Sequence, residues 1–370
     1  MAGPGRRIRY ALVGAGNIAQ VAVLPAFAHA STNSELVAVL SSNQKKREEL
    51  GQRYAVEHLG PYQDFERLVR EARADAVYLA LPNHLHREWT ERAARCGLHV
   101  LCEKPMAPTV EDCEAMIRAT DLAGVTLMIA YRLHFEEAHL GAIELIRSGK
   151  IGDPLLVSAT LTQQVRAGDI RTRASEAGGA LLDEGPYCVN AARYLFRAEP
   201  TEVFAFSNLA QDPRSQGVDE TTMALLRFPE GKLAQFVVSQ AAAATSQFRV
   251  IGAEGDLRVE PGFGYVGERK HFLAVDGKTE EKSFPARDQF APELLYFSQC
   301  ILDDAEPEPS GEEGLADVRV LVALQESAQQ ARPVSLAPFH RKRRPEPSQV
   351  IVRPPVEKPP TVDAPSPTVD

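Results

Sequence analysis

Cysteine is scarce in this chain. Five residues among 370 (Cys96, Cys102, Cys113, Cys188 and Cys300) are an odd set with no CxxC spacing. That argues against a disulfide framework and a zinc knuckle, and points to a reducing compartment, the cytoplasm. Long apolar runs are also missing: no stretch reaches the roughly 18 residues of a spanning helix, so no membrane partner is expected. Nor is there a surplus of cations. Lys and Arg number 41 against 50 Asp and Glu, a formal charge of -9. A nucleic-acid partner is therefore not expected, because phosphate binding needs concentrated Lys and Arg. Arg6 and Arg7 precede an apolar stretch, but not as an export signal. Residues 8–13 run straight into a glycine loop, and cleavage would destroy the first strand.

The composition is otherwise that of a protein with a large core, 44% apolar. At roughly 150 residues per domain the length suggests two domains. Residues 8–13 read as a buried strand, 18–29 as a helix and 36–40 as a second strand. Helices over 44–54, 65–73, 86–96 and 110–123 then alternate with strands over 76–81, 99–102 and 126–130. This alternation is α/β, a doubly wound parallel sheet of the Rossmann kind over residues 1–130. After residue 131 the texture changes. A helix over 139–148 precedes strands over 155–165, 202–206, 221–228, 232–239, 247–251 and 257–259. Phe228 to Lys232 forms a hairpin turn between two of them, and helices over 292–302 and 312–331 close the unit. Residues 131–335 thus read as an α+β domain with an antiparallel sheet. Residues 336–370 hold the basic run His340-Arg341-Lys342-Arg343-Arg344 and many prolines, and read as a disordered Pro-rich tail.

The segment Gly14-Ala15-Gly16-Asn17-Ile18-Ala19 lies between a strand and a helix, the context that makes a GxGxxG-type loop a dinucleotide site. Gly14 suits the tight turn. Gly16 lets backbone approach a pyrophosphate, and the helix beginning at Asn17 and Ile18 aims its positive end at the phosphates. The second strand ends Leu40-Ser41-Ser42-Asn43 without the carboxylate that would accept bonds from a ribose 2′-hydroxyl. Cations follow, among them Lys46. This favours NADP, with NAD still possible.

Two further strand ends carry polar groups, where ligands of open α/β sheets bind. One is Leu81-Pro82-Asn83-His84-Leu85-His86, the other Glu103-Lys104-Pro105. His84 and His86 lack a third ligand at useful spacing, so no metal is expected; His86 is read as a cap or cofactor contact. Lys104 would stand near the reacting end of a cofactor, although a surface ion pair is equally open. In Gly178 to Tyr187, a helix starting near Asp183 would put Asp183 and Tyr187 on one face, with Asn190 and Tyr194 extending it. A carboxylate, a phenol and a lysine can move a proton while hydride moves to or from the same carbon. A helix cap and a core tyrosine are the plainer alternative.

At these residues the sequence resembles the Gfo/Idh/MocA oxidoreductase family. The matching pieces are Gly14 to Ala19, Leu81-Pro82-Asn83, Cys102-Glu103-Lys104-Pro105 and Gly178 to Tyr187. Tyr187, where many members place histidine, together with Ala130-Tyr131-Arg132, is similar to the branch containing glucose-fructose oxidoreductase and NADP-dependent D-xylose dehydrogenase. The resemblance implies a large open antiparallel sheet through which members associate, hence a homo-oligomer. It implies that Lys104 is catalytic, that Tyr187 exchanges a proton, and that Asp183 holds a substrate hydroxyl or Lys104. Ser41 and Lys46 would lie near a 2′-phosphate, and Leu81, Pro82, Asn83, His86, Glu103 and Arg132 would contact the cofactor. The expected activity is NADP-dependent hydride transfer at a hydroxyl-bearing or anomeric carbon of a sugar or polyol. Two other readings are a ping-pong oxidoreductase that keeps its NADP and a dinucleotide-binding sensor. The sensor would have no need of Lys104, Asp183 and Tyr187.

Overall fold

A computed structural model describes residues 5–211 and 217–369; residues 1–4, 212–216 and 370, including the two outer ends of the expected domains, lie outside the described residues. The first sheet contains β1 (Ile8–Val13), β2 (Ser34–Leu40), β3 (His58–Gly60), β4 (Ala76–Leu79), β5 (His99–Cys102) and β6 (Leu127–Ile129). Their order is β3-β2-β1-β4-β5-β6, and every pair is parallel. Helices α1 (Leu24–His29), α2 (Gln44–Tyr54), α3 (Phe65–Glu71), α4 (His86–Arg95) and α5 (Val110–Ala123) connect them. The strands are near-continuous apolar runs because both sheet faces are covered. β1 is the topological centre: Val13 pairs with Leu40 on one side and Leu79 on the other. Hence Gly14, Ser41 and Ala80 emerge side by side at one carboxyl edge, where the crevice of such a sheet opens.

Helix α6 (Glu137–Arg147) leads to the second sheet: β7 (Pro154–Thr162), β8 (Glu202–Leu209), β9 (Asp219–Arg227), β10 (Leu233–Ser239), β11 (Thr245–Gly252), β12 (Gly255–Glu260), β13 (Arg269–Val275), β14 (Lys278–Phe284) and β15 (Val334–Ser335). The order is β14-β13-β12-β11-β7-β10-β9-β8-β15. All pairs are antiparallel except β7 with β10. Strands β13 and β14 went unread in the sequence; Lys278–Phe284 in particular is polar and exposed almost throughout. Helices α7 (Ala180–Asp183), α8 (Gly185–Phe196), α9 (Ala291–Asp303) and α10 (Gly311–Gln330) accompany this sheet. The core under this sheet joins Val203, Ala224, Leu226 and Phe236 to Val189, Leu195, Leu321 and Leu324.

The C-terminal segment differs from the expected loose tail. It is poor in regular structure but is bound along its length. Arg341 is inserted among Glu308, Glu312 and Glu313, and Arg344 pairs with Glu199. Val362 and Ala364 are buried. The tail's own apolar content is indeed small; what holds it are polar groups supplied by the rest of the protein, which composition cannot reveal.

Candidate active site

Gly14 has φ 98°, and a Cβ there would stand 2.3 Å from the Ala80 carbonyl oxygen. The close passage of the β4 exit therefore requires glycine. Gly16 is different. A Cβ there would meet nothing within 4 Å. No internal packing explains that glycine, whereas the approach of a phosphate does. The chain turns helical at Asn17, and Gln20 N–H donates to the Gly16 carbonyl. Ile18 is half-buried against the core beneath the sheet. The loop thus fits the pyrophosphate of a dinucleotide.

At the β2 end, Asn43 caps α2 by accepting from Lys46 N–H at 3.1 Å, and its own N–H donates to the Ser41 hydroxyl at 3.3 Å. The cap places Ser41, Asn43, Lys45 and Lys46 around one corner. Burial pulls the Lys46 ammonium below its ordinary range, and Asp363 opposes that pull. This corner suits a 2′-phosphate, except that a carboxylate already sits on it. Asp363 accepts from Asn43 at 3.2 Å and from Lys45 at 3.3 Å.

The β5 exit and the junction of α7 with α8 meet across the two domains. Lys104 Nζ donates to the Asp183 carbonyl at 2.7 Å and to its Oδ1 at 3.2 Å. The same ammonium lies 4.8 Å from the centre of the Tyr187 ring. Arg171 holds the other Asp183 oxygen at 3.0 Å. Burial raises the Asp183 carboxyl, but Lys104 and Arg171 outweigh it and the net shift is downward. Burial likewise works against the Lys104 ammonium, and Tyr187, Asp183 and Glu103 reverse it to a net rise. Both groups are therefore held charged at neutral pH.

The expected common helix for Asp183 and Tyr187 is not what brings them together. Asp183 ends α7, and Tyr187 lies in α8 after the break at Glu184. Pro186 at the start of α8 fixes that restart. Asn190 and Tyr194 do not extend the face toward the cleft. Both are buried, and Asn190 joins His134 to Glu313.

Other expected cofactor contacts divide. Gly16, Asn17, Pro82 and Asn83 keep partial exposure at the cleft, with Leu81 beneath them. Asn83 also reaches the second domain, donating to the Ala177 carbonyl at 3.0 Å. His86 is not at the cleft. It is wholly buried, its ring nitrogens 3.0 Å from the Leu81 and Pro105 carbonyl oxygens. It ties the two strand exits together and so positions their residues. Glu103 accepts from the Tyr78 hydroxyl at 2.9 Å; burial raises its carboxyl despite Lys104. Arg132 is buried, donates to the Gly264 carbonyl at 3.2 Å and to Gln289 and Phe263, and lies 4.9 Å from the Tyr187 ring centre. Tyr187 thus sits between two cations, Lys104 and Arg132.

Sequence reasoning missed Arg171 and Glu184. Glu184 accepts from Gln163 at 2.7 Å and Gln240 at 3.3 Å, and burial beside Asp183 holds its carboxyl well above the usual range. Arg171 lies in a loop without hydrophobic period, so only its charge was legible. Among the described residues no group of three or more His, Cys, Asp and Glu is arranged to hold a metal ion, and no helix is long and apolar enough to cross a membrane.

Residues 8–131 match the oxidoreductase family with an NAD-binding Rossmann fold, and residues 139–258 match the GFO/IDH/MocA C-terminal domain. D-xylose 1-dehydrogenase [NADP(+)] of Haloarcula marismortui is 34% identical over 335 residues, 89% of this chain and 93% of that protein. The aldose-aldose oxidoreductase of Caulobacter crescentus, solved with glycerol, superposes with a TM-score of 0.85 at 36% identity, covering 90% of this chain and all of that one. A 3-ketoreductase of Actinomadura kijaniata, solved with NADP and TDP-benzene, gives 0.80 at 28% identity over 87% of this chain and 98% of its own. With both of its domains matched in order, the chain belongs to the GFO/IDH/MocA oxidoreductase family.

Proposed function

We propose that this protein is an NADP-dependent oxidoreductase that moves a hydride between the nicotinamide and a hydroxyl-bearing or anomeric carbon of a sugar or related polyol. The observation that carries this reading is the Lys104 ammonium, bonded to Asp183 and 4.8 Å from the Tyr187 ring at the sheet's carboxyl edge. Gly14, Gly16, Asn17 and Ile18 cradle the pyrophosphate, and Ser41, Asn43 and Lys46 take the adenosine end. The bound nicotinamide supplies the hydride acceptor or donor. In the oxidative direction Tyr187 takes the proton of the substrate hydroxyl as the carbonyl forms, and it returns that proton in reduction. Lys104 and Arg132 stand over the same ring, 4.8 and 4.9 Å from its centre. Asp183, neutralised on both oxygens by Lys104 and Arg171, holds the lysine in place. The relatives named for D-xylose, 1,5-anhydro-D-fructose and dTDP-sugars support a sugar substrate.

The test is a screen of aldoses, ketoses and diols with NADP and NAD. Tyr187→Phe and Lys104→Met should each reduce turnover at least about 100-fold on whichever substrate responds, the usual scale for a lost acid-base group. NADPH binding should persist in both. Unchanged turnover in both variants would overturn the assignment.

A second reading has its own support in the likeness to an aldose-aldose oxidoreductase. In it, one sugar is oxidised and another reduced on cofactor that never leaves. Absorbance of reduced cofactor that survives purification favours this reading, and cofactor-free protein counts against it. In either case the apolar outer face of the second sheet is proposed as a homo-oligomer contact, and the five unpaired cysteines support a cytoplasmic location.

A further inference from the structure

The C-terminal segment crosses the mouth of the dinucleotide cleft. Arg53 donates to the Pro360 carbonyl at 2.7 Å. The Gln20 amide makes a reciprocal pair with the Val362 backbone, giving one bond at 3.0 Å and receiving one at 2.7 Å. Asn17, in the glycine loop, donates to the carbonyls of Ala364 and Pro365 at 3.0 and 3.1 Å. The chain then passes to the second domain. There Arg166 N–H donates to the Pro367 carbonyl at 2.8 Å, and Val369 N–H to the Gln164 carbonyl at 2.9 Å. The segment is thus fastened on both sides of the cleft, and it uses the loop that would carry the phosphates.

Between these fastenings lies Asp363. Its two oxygens take the Asn43 amide and the Lys45 ammonium, beside Lys46 at the β2 exit. The sequence supplies no carboxylate at the end of β2 itself; the fold brings one from the far end of the chain. We infer that Asp363 is a specificity-determining residue at the adenosine end, an internal anion that competes with the 2′-phosphate of NADP for Asn43, Lys45 and Lys46. The C-terminal segment is then a strap that NADP must displace. Two anions cannot share one small cradle without repulsion, and NAD, with a neutral 2′-hydroxyl, meets no such conflict.

This inference rests on the proposed dinucleotide reading, and the experiment separates the two. NADPH and NADH fluorescence titrations at low salt are compared for wild type, Asp363→Asn and a chain ending at Glu357. Asp363→Asn should tighten NADPH by about 2- to 5-fold, the scale of one partly exposed charge contact. NADH should change by less than about twofold, and the NADPH gain should shrink with added salt. The shortened chain should bind NADPH at least as tightly as Asp363→Asn, with faster association. NADPH binding that is unchanged or weaker in Asp363→Asn overturns the inference. So does faster NADPH release from the shortened chain with weaker binding, which would make the segment a retaining clasp. Wild-type protein that binds neither coenzyme overturns the reading of the whole site.

Discussion

Lys104 and Asp183 join the two domains through a doubled contact, the ammonium reaching both the main-chain carbonyl at 2.7 Å and the carboxylate at 3.2 Å. The lysine comes from the exit of a parallel strand and the aspartate from the end of a four-residue helix. Neither element sets the geometry alone. The contact is the point at which the Rossmann unit meets the second-domain segment that carries Tyr187.

Replacing Asp183 by Asn separates the two halves of this contact. The carbonyl bond survives and the charge pairing is lost. A charge-assisted bond is worth about 1.5–3 kcal/mol, so kcat should fall about 10- to 100-fold by the tenfold-per-1.4 kcal/mol conversion. The Lys104 ammonium is held above its ordinary range against burial by Tyr187, Asp183 and Glu103. With one of these supports gone, the lysine should lose its proton at lower pH. The alkaline limb of kcat/KM should therefore move to lower pH in Asp183→Asn, while NADPH affinity stays within about threefold. A pH profile with an unmoved alkaline limb would show that Asp183 does not support the lysine charge.

The outer face of the second sheet yields a prediction about assembly. Phe206 and Met223 are direct cross-strand neighbours on β8 and β9, 65% and 57% exposed, with Leu225 at 54% beside them. The opposite face of the same strands is buried under α8 and α10. Apolar residues contiguous on a sheet face and left in water mark an interaction surface. Light scattering of the wild type should show a homo-oligomer, and Phe206→Glu with Met223→Glu should dissociate it with unchanged far-UV circular dichroism. A wild-type monomer at micromolar concentration would refute the proposal.

What the sequence made legible follows from the range of the forces involved. The parallel sheet is written in local apolar runs punctuated by glycine, so β1, β2, β4 and β5 could be read, and Gly14 and Gly16 with them. Gly14 is explained by a neighbouring carbonyl, whereas nothing inside the fold crowds Gly16. Lys104, Asp183 and Tyr187 were legible as residue types and as a family likeness. The way they converge was not, because it depends on a break between α7 and α8 at Glu184. His86 was misplaced for a related reason. Its role is to accept burial between two carbonyls from separate strand exits, a contact across 19 residues that no local pattern encodes. The path of the C-terminal segment was the least legible of all. Its partners, such as Gln20 and Asn17, lie 342 and 347 residues away.

The anchor of that segment gives a prediction about stability with a definite sign. The Arg341 side chain is 2% exposed and donates to Glu313 at 2.8 Å and Glu312 at 3.2 Å. Burial tends to raise the Glu313 carboxyl, but Arg193, Arg341 and His134 outweigh it and bring it down to about 2 from an ordinary 4.5. A carboxyl depressed in the fold contributes stability that is present above the ordinary value and is lost as pH falls from about 4.5 through about 2. The wild-type melting temperature should therefore decline across that window. Removing one partner of a buried ion pair costs about 3 kcal/mol or more, so Arg341→Met should melt several degrees lower at neutral pH. Its acid decline should be shallower and end at a higher pH, because Glu313 is then held less far down. The C-terminal segment should also become cleavable by dilute protease, having lost the anchor that begins its path. Differential scanning fluorimetry from pH 7 to pH 3, with timed proteolysis, reads all three effects. A variant that melts within about a degree of wild type and resists cleavage would mean that Arg341 occupies the acidic cluster without holding the segment.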